Sequence, residues 1–239
     1  MSINERIIHN VSVDCVVFGY DNETLKVLLI EQKALDEKAK KGKGAQFALP
    51  GDLVREDEGL HQAATRVLGE LTQLQGIYLK QFHTYGNPDR VSDVKDAEWL
   101  KTYRSNPETR VITVAYYSLV NLADYEPGAG SFAKRSVWID MGKEPRLAFD
   151  HNKILQGGLD MLRDELINKN IGFELLPEKF TLSQLQSLYE IVLDKKLDKR
   201  NFRKSIKKID QLKPLDEKQK GVLHKPAQLY KYEGIIPRK

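Results

Sequence analysis

The sequence predicts an α+β chain of two unequal parts: a strand-rich N-terminal domain and a small, basic, mostly helical C-terminal domain. Three observations lead there. Runs rich in Val, Ile and Leu dominate the first half. Two short amphipathic patterns, each behind a capping residue, follow one another after residue 180. The charge is also divided. Residues 179–239 carry 16 Lys or Arg against 7 Asp or Glu, and residues 1–178 carry 22 against 27, so a body of −5 precedes a tail of +9 within the net +4. A basic tail on an acidic body suits a polyanion partner, although a solvated lysine-rich surface has the same composition.

The 239 residues allow one large domain or two small ones, and 41% hydrophobic with 30% charged residues is ordinary for a globular protein. The single cysteine, Cys15, excludes an intrachain disulfide and fits a reducing compartment. The start, MSINERI, lacks a signal-peptide pattern, and no apolar run is long enough to span a bilayer. The expectation is a cytoplasmic protein with no membrane partner.

Along the chain, Val11–Phe18 and Lys26–Glu31 read as strands around a turn at Asp21-Asn22. Ala63, Ala64, Val67, Leu68 and Leu71 recur at helical spacing within a predicted helix at Gly59–Leu74. Ile77–Tyr85 and Val111–Asn121 are further strands. Gly, Asn, Pro and charges between 86 and 109 predict a long loop, with a short helix near Glu98–Tyr103. Asp150–Ile167 predicts a long helix with a narrow seam of Leu155, Leu159, Leu162 and Leu166. That seam fits packing on its own domain or a dimer contact. The expected division is 1–150, a connecting helix at 151–170, and 171–239.

In the C-terminal part, Thr181 and Gln184 stand at capping-box spacing, and Phe180 and Leu185 at the positions of a hydrophobic staple. Leu185, Leu188, Tyr189 and Val192 continue one helix face. Asp198 then offers a second N-cap, with Leu197 and Phe202 as its staple. Phe202, Ile206 and Ile209 make the inner stripe of this second helix. Lys199, Arg200, Asn201, Arg203 and Lys204 fall outside that stripe. Two short helices, the second strongly basic, match a helix-turn-helix, and a DNA duplex is the partner such a helix fits. Gly221–Tyr232 can supply a wing hairpin, adding Lys225 and Gln228 to the contacts. A plain helical domain with a solvated basic face is the competing reading.

Leu49–Glu58 and the helix behind it resemble a Nudix box. Glu58, Arg66, Leu68, Glu70 and Leu74 keep their box positions, Asp52 stands at the box glycine, and Gln73 at the last glycine. Val67 and Leu71 replace two of the three helix glutamates that would hold Mg²⁺ or Mn²⁺ against a pyrophosphate. One remaining carboxylate is a poor divalent site, so the reading assigns no catalytic residue, no metal and no cofactor; Glu70 fits an ion pair with Arg66, four residues back. Tyr85–Arg90, Arg110–Tyr117, Leu147–His151, Leu197–Arg203 and Lys225–Tyr230 resemble segments of Nudix-related transcriptional regulators of the NrtR-like family, in look closest to its L-arabinose-responsive branch, the AraR regulators of Bacteroides-like bacteria. The resemblance implies a Nudix-type α/β/α sandwich followed by a winged helix-turn-helix. It implies a homodimer that binds a palindromic operator as a repressor and is released by an effector, with L-arabinose the leading candidate and ADP-ribose the second. It implies an effector pocket over the former catalytic face, for which Arg55, Glu70, His83, Tyr85, Asp89 and Tyr116 are the candidates. The alternatives are a Nudix hydrolase of nucleoside diphosphate derivatives and an inert scaffold.

Overall fold

The computed structural model describes residues 7–32, 46–91, 96, 100, 109–125, 133–168, 172–221 and 225–234. Strand β1 (Ile7–Tyr20) is the middle of a mixed sheet. It pairs antiparallel with β2 (Leu25–Gln32) across the turn that holds Asn22 at φ 74°. It also pairs antiparallel with β4 (Gly51–Arg55), and β2 pairs with the two-residue β3 (Phe47–Ala48). On its other side β1 runs parallel to β6 (Ile112–Asn121), in register from Val11↔Ile112 to Tyr20↔Asn121. Strand β5 (Lys80–Tyr85) closes that edge.

The two-residue period of β1 sorts its side chains between two helices. Val13, Cys15 and Val17 join the cluster under α1 (Leu60–Thr72), whereas Val16, Phe18 and Tyr20 join the cluster under α2 (His151–Asn168). Helix, sheet and helix thus form an α/β/α sandwich. Three strands of this sheet went unread in the sequence, β3, β4 and β7, and of these β7 (Ala133–Asp140) pairs with β2 over most of its length. Its AKRSVWID run is too polar to show a buried-strand pattern. The short helix expected at 98–103 lies, Leu100 apart, outside the described residues; Asp96 and Leu100 are helical and buried.

The leucine seam of α2 is used up inside the chain. Leu155, Leu159, Leu162 and Leu166 are 2%, 8%, 0% and 0% exposed. They share one core cluster with the sheet and with Phe173, Leu175, Leu185, Leu188 and Val192 of the C-terminal domain. A dimer contact through these four side chains is therefore corrected to an intrachain one. Arg163 adds a polar tie, its Nε donating to the Val192 carbonyl at 2.8 Å.

The C-terminal domain is a winged helix-turn-helix: β8 (Phe180–Thr181), α3 (Leu182–Leu193), α4 (Lys199–Ile206) and a hairpin of β9 (Leu212–Lys218) with β10 (Gln228–Tyr232), in the sheet order β8-β10-β9. Both sequence-read caps form. Thr181 Oγ1 accepts from the Gln184 amide at 3.2 Å while Gln184 Oε1 accepts from the Thr181 amide at 2.8 Å, and Asp198 Oδ1 accepts from the Asn201 amide at 2.8 Å. The wing differs from expectation. Its first strand is Leu212–Lys218, ahead of the anticipated Gly221 start, and Val222 and Leu223 lie outside the described residues. Leu212 packs into the core while Lys213 and Asp216–Lys218 face solvent, a half-buried edge that sequence hydrophobicity does not mark.

Candidate functional sites

The Nudix-box positions of α1 pack and pair within the fold. Val67 and Leu71 are each 1% exposed and belong to the apolar cluster between α1 and the sheet. Arg66 clamps the turn between β4 and α1: its Nε and Nη2 donate to the two Glu58 carboxylate oxygens at 2.8 and 2.6 Å, and Nη2 also to the Leu53 carbonyl at 3.0 Å. Burial alone would raise the Glu58 carboxyl, but the Arg66 hydrogen bonds and the Arg55 amide outweigh it and hold it low. Glu70 accepts from Arg66 Nη1 at 3.0 Å, as its i+4 spacing suggested, and stands 3.4 Å from Arg55. Pro50-Gly51 also has a fold role. A Cβ at Gly51 would lie 1.9 Å from the Asp14 carboxylate.

The sheet divides the six candidate effector residues. Arg55, Glu70 and Tyr116 lie on the α1 side, where Tyr116 packs in the α1 cluster with its ring 6.1 Å from that of His61. Tyr85 packs in the α2 cluster, with the exposed His83 ring 4.7 Å away. A bulge at Phe82 causes the split. Gln81 pairs with Tyr116, yet His83 pairs with Ala115, so one extra residue reverses the strand's faces. Asp89 lies beyond the strand, in a cavity.

That cavity, about 410 Å³, opens at the first turn of α2. Asn87, Asp89 and Arg90 line it from one loop, the helical Asp96 adds a carboxylate, and Arg146, Phe149, Asp150 and Lys153 line it from the entry to α2. Its floor is a buried ionic network. Arg90, with a side chain 4% exposed, donates to both Asp150 oxygens at 3.1 and 2.7 Å and reaches Asp14 at 3.4 Å. Burial pulls the Arg90 guanidinium down, and Asp14 and Asp150 more than restore it. His151 accepts from the Leu49 amide through Nδ1 at 3.0 Å and turns Nε2 toward Asp14 at 3.4 Å. Phe149 sits at φ 56°, uncommon for an aromatic residue, with its amide held by Asp96 at 2.8 Å. Of these groups sequence reasoning had proposed only Asp89. The signal was available, because Tyr85–Arg90 and Leu147–His151 are two of the segments that carry the family resemblance.

In the C-terminal domain, α4 buries Phe202 and Ile206 and exposes Lys199, Arg200, Asn201, Arg203 and Lys204. All five basic or amide side chains singled out on this helix therefore face outward. Tyr189 of α3 packs edge-on against Phe202, with ring centroids 5.3 Å apart, and fixes how α4 leans on α3. On the wing, Lys225 and Gln228 are exposed; Gln228 opposes Lys218 and donates to the Leu215 carbonyl at 3.3 Å.

Residues 172–232 match the family model described as the NrtR DNA-binding winged helix domain. Along nearly its whole length the chain is similar to the ADPR-responsive transcriptional repressor NtrR of Acinetobacter baylyi, with 29% identity over 92% of this chain and 81% of that one. The crystal structure of Shewanella oneidensis NrtR superposes with a TM-score of 0.68 at 26% identity, over 93% of this chain and 94% of that one. The chain belongs to the NrtR-like family of Nudix-fused winged-helix regulators. That NrtR has also been solved with a 27mer DNA, where the match has a TM-score of 0.67 at 26% identity, covering 93% of each chain. Its Nudix domain has been solved with ADP ribose, with a TM-score of 0.50 at 26% identity over 64% of this chain and 88% of that one. This NrtR-like chain is similar as well to an ADP-ribose pyrophosphatase of Methanocaldococcus jannaschii, at 30% identity over 59% of this chain and 69% of that one. No described helix is long and apolar enough to cross a membrane.

Proposed function

We propose that this NrtR-like protein is a DNA-binding transcriptional repressor whose Nudix domain takes a small-molecule effector and has exchanged metal-dependent hydrolysis for core packing. In this reading residues 1–150 sense, 151–170 connect and 171–239 read DNA. The observation that carries it is α4: Phe202 and Ile206 are buried while Lys199, Arg200, Asn201, Arg203 and Lys204 are all exposed. On a helix-turn-helix the exposed side of this helix enters a major groove, with the first turns against base edges and phosphates. Lys225 and Gln228 add contacts from the wing. One such helix reads only a few base pairs, so the operating unit is a homodimer on two half-sites. The effector that the relatives support is an ADP-ribose-like compound, since one is named for its response to it and the Nudix domain of another was solved with it. L-arabinose, the leading sequence expectation, gains no support from these relatives.

The second reading, a hydrolase, is favoured by the Methanocaldococcus jannaschii pyrophosphatase. Against it stand Val67 and Leu71, buried where two metal-ligating carboxylates belong. Anisotropy titrations on an operator and a scrambled duplex at several salt concentrations test the regulator. With roughly 3–5 phosphate contacts per subunit, dimer affinity falls about 10³–10⁵-fold between about 50 and 200 mM salt. No salt-dependent binding to either duplex, or full binding after Arg200→Ala with Arg203→Ala, refutes it. ADP-ribose hydrolysis with Mg²⁺ or Mn²⁺ at about 1 per second or faster restores the hydrolase.

A further inference from the structure

We infer that the β1–β2 turn mounts the winged helix, and that Asn22 with Gln184 of α3 are positioning residues that set the half-site spacing the dimer accepts. This rests on the regulator reading for its purpose, whereas the mount is a property of the fold. The two domains share an apolar core through Leu162, Leu166, Leu185 and Leu188, and apolar contact has no direction of its own. Directional contacts stand at the two ends of α3. In its last turn the Val192 carbonyl accepts from Arg163 of α2. In its first turn Gln184 Nε2 donates to Asn22 Oδ1 at 3.4 Å. Gln184 and Val192 lie eight residues apart on α3, roughly 12 Å. One such point leaves a helix free to pivot, and two fix its direction. Helix α4 follows, because Tyr189 and Phe202 pack it against α3.

The turn is built as a fixed point. Asn22 sits exposed at its tip with φ 74°. Asp21 Oδ1 accepts from the Glu23 and Thr24 amides at 3.0 and 2.8 Å, and Lys26 ties Asp21 to Asp140 of β7. The Met141 amide donates to the Leu25 carbonyl at 2.8 Å and closes the base. Gln184 is restrained as well, since the Thr181 amide holds its Oε1 in the capping box and leaves Nε2 for Asn22. Small rotations matter here. One base pair moves a half-site about 3.4 Å along the duplex and turns it about 35°. A dimer whose α4 helices are held rigidly reads one spacing, and a pivoting one tolerates several.

Charge swaps on the full chain test the pair. Asn22→Asp keeps an acceptor for Gln184, and aspartate tolerates positive φ. Gln184→Glu keeps the capping box, and the Asn22 amide can turn end for end to donate to it. Combined, the two substitutions oppose two carboxylates and break the contact. Asn22→Gly breaks it without added charge. The first readout is the distance between nitroxides on Thr65→Cys of α1 and Asp210→Cys beyond α4, both exposed, in labelled protein diluted with unlabelled chains; Cys15 is fully buried. The second is anisotropy on an operator selected from a random duplex pool, with and without one base pair inserted between the half-sites. The unaltered protein and both charge-swap single variants should show one narrow distance distribution and lose at least about tenfold in affinity on insertion. The double variant and Asn22→Gly should show a broadened distribution and lose less than about threefold. An unchanged distribution in either of these, or a double-variant effect no larger than the sum of the single ones, overturns the inference. A broadened distribution with the spacing preference intact overturns it as well. If the distances respond but no duplex binds, the regulator reading falls and the spacing claim with it, while the mount stands.

Discussion

Restoring a box glutamate at position 67 should destabilise this protein instead of rebuilding a metal site. Val67 is 1% exposed and packed among Ala63, Ala64, Leu68, Leu71 and the sheet residues Val13, Cys15 and Val54. Val67→Glu gives up the burial of the valine, worth about 1.5–3 kcal/mol. It also places a carboxyl where burial raises the pKa by up to about 3–5 pH units. If the folded-state value rises from about 4.3 to 7 or above, keeping the proton costs about 3–4 kcal/mol at pH 7. The sum, about 4.5–7 kcal/mol, rivals the whole stability of many domains. The sign follows from the raised folded-state pKa. Below the unfolded value both states are protonated and the ionisation penalty vanishes. Above it only the unfolded state releases the proton, and stability falls by about 1.4 kcal/mol per pH unit until the folded value is reached. Urea denaturation of both proteins at pH 5 and pH 7 therefore separates the terms, with about 2–3 kcal/mol more lost at pH 7 than at pH 5. An equal loss at the two pH values, or stability restored by Mg²⁺ or Mn²⁺, would mean that position 67 faces a polar site and that the core argument is wrong.

Three further outcomes are expected. Arg203→Ala should weaken operator binding by about 1–3 kcal/mol, with the loss depending on the base at one position if the side chain reads a guanine and uniform across sequences if it holds a phosphate; anisotropy on single-base operator variants distinguishes these. Asp198→Ala removes the side-chain acceptor for the Asn201 amide and should cost about 0.5–2 kcal/mol, read as weaker DNA binding and faster amide exchange in α4 with exchange in α1 unchanged; equal protection in α4 would show that its packing, not its cap, holds it. Arg163→Ala cuts the tie from α2 to the Val192 carbonyl; effector affinity measured without DNA should persist while the effector's power to release DNA declines, and unimpaired release would show that the tie carries no signal.

What the sequence disclosed was local. Thr181 with Gln184 and Asp198 with Asn201 form as read, because a cap and its first turn lie within four residues. The helix of Val67 and Leu71 was legible for the same reason, since a 3.6-residue period needs no knowledge of the partner. What stayed hidden depends on pairing. Tyr116 and Tyr117 must face opposite ways in a strand, but nothing nearby says which of them meets α1. Parity also breaks across the Phe82 bulge, so His83 could not be assigned a face by counting from Gln81. The edge strand β7 and the outer wing strand β9 are too polar to stand out. The cavity gathers Asp14, Arg90, Asp96 and Asp150 from four separate segments, and a spacing rule cannot reach that far.

The placement of α2 bears on the proposed exchange of hydrolysis for regulation. Hydrolysis ends when chemistry is done on the α1 face, whereas regulation needs a ligand to reach the DNA-reading domain. One helix of 18 residues, about 27 Å long, carries the cavity on its first turn and the winged helix on its last. Between those ends it is held at close range: Gly158 lies where a Cβ would come within 3.4 Å of Val16, and Glu165 is bound by Lys80 and Tyr117. Burial, followed by the Glu165 hydrogen bond, keeps the Tyr117 phenol well above its ordinary pKa, so that phenol stays a donor to the carboxylate at neutral pH. A loop between the domains would absorb a displacement at Asp150. A packed helix whose Leu162 and Leu166 belong to the same core as Leu185 and Leu188 cannot, because close-packed interiors shift between discrete arrangements and do not deform smoothly. An α1 face filled by Val67 and Leu71 strengthens the opposite side of the same sheet, which leaves α2 as the element on which a ligand can act.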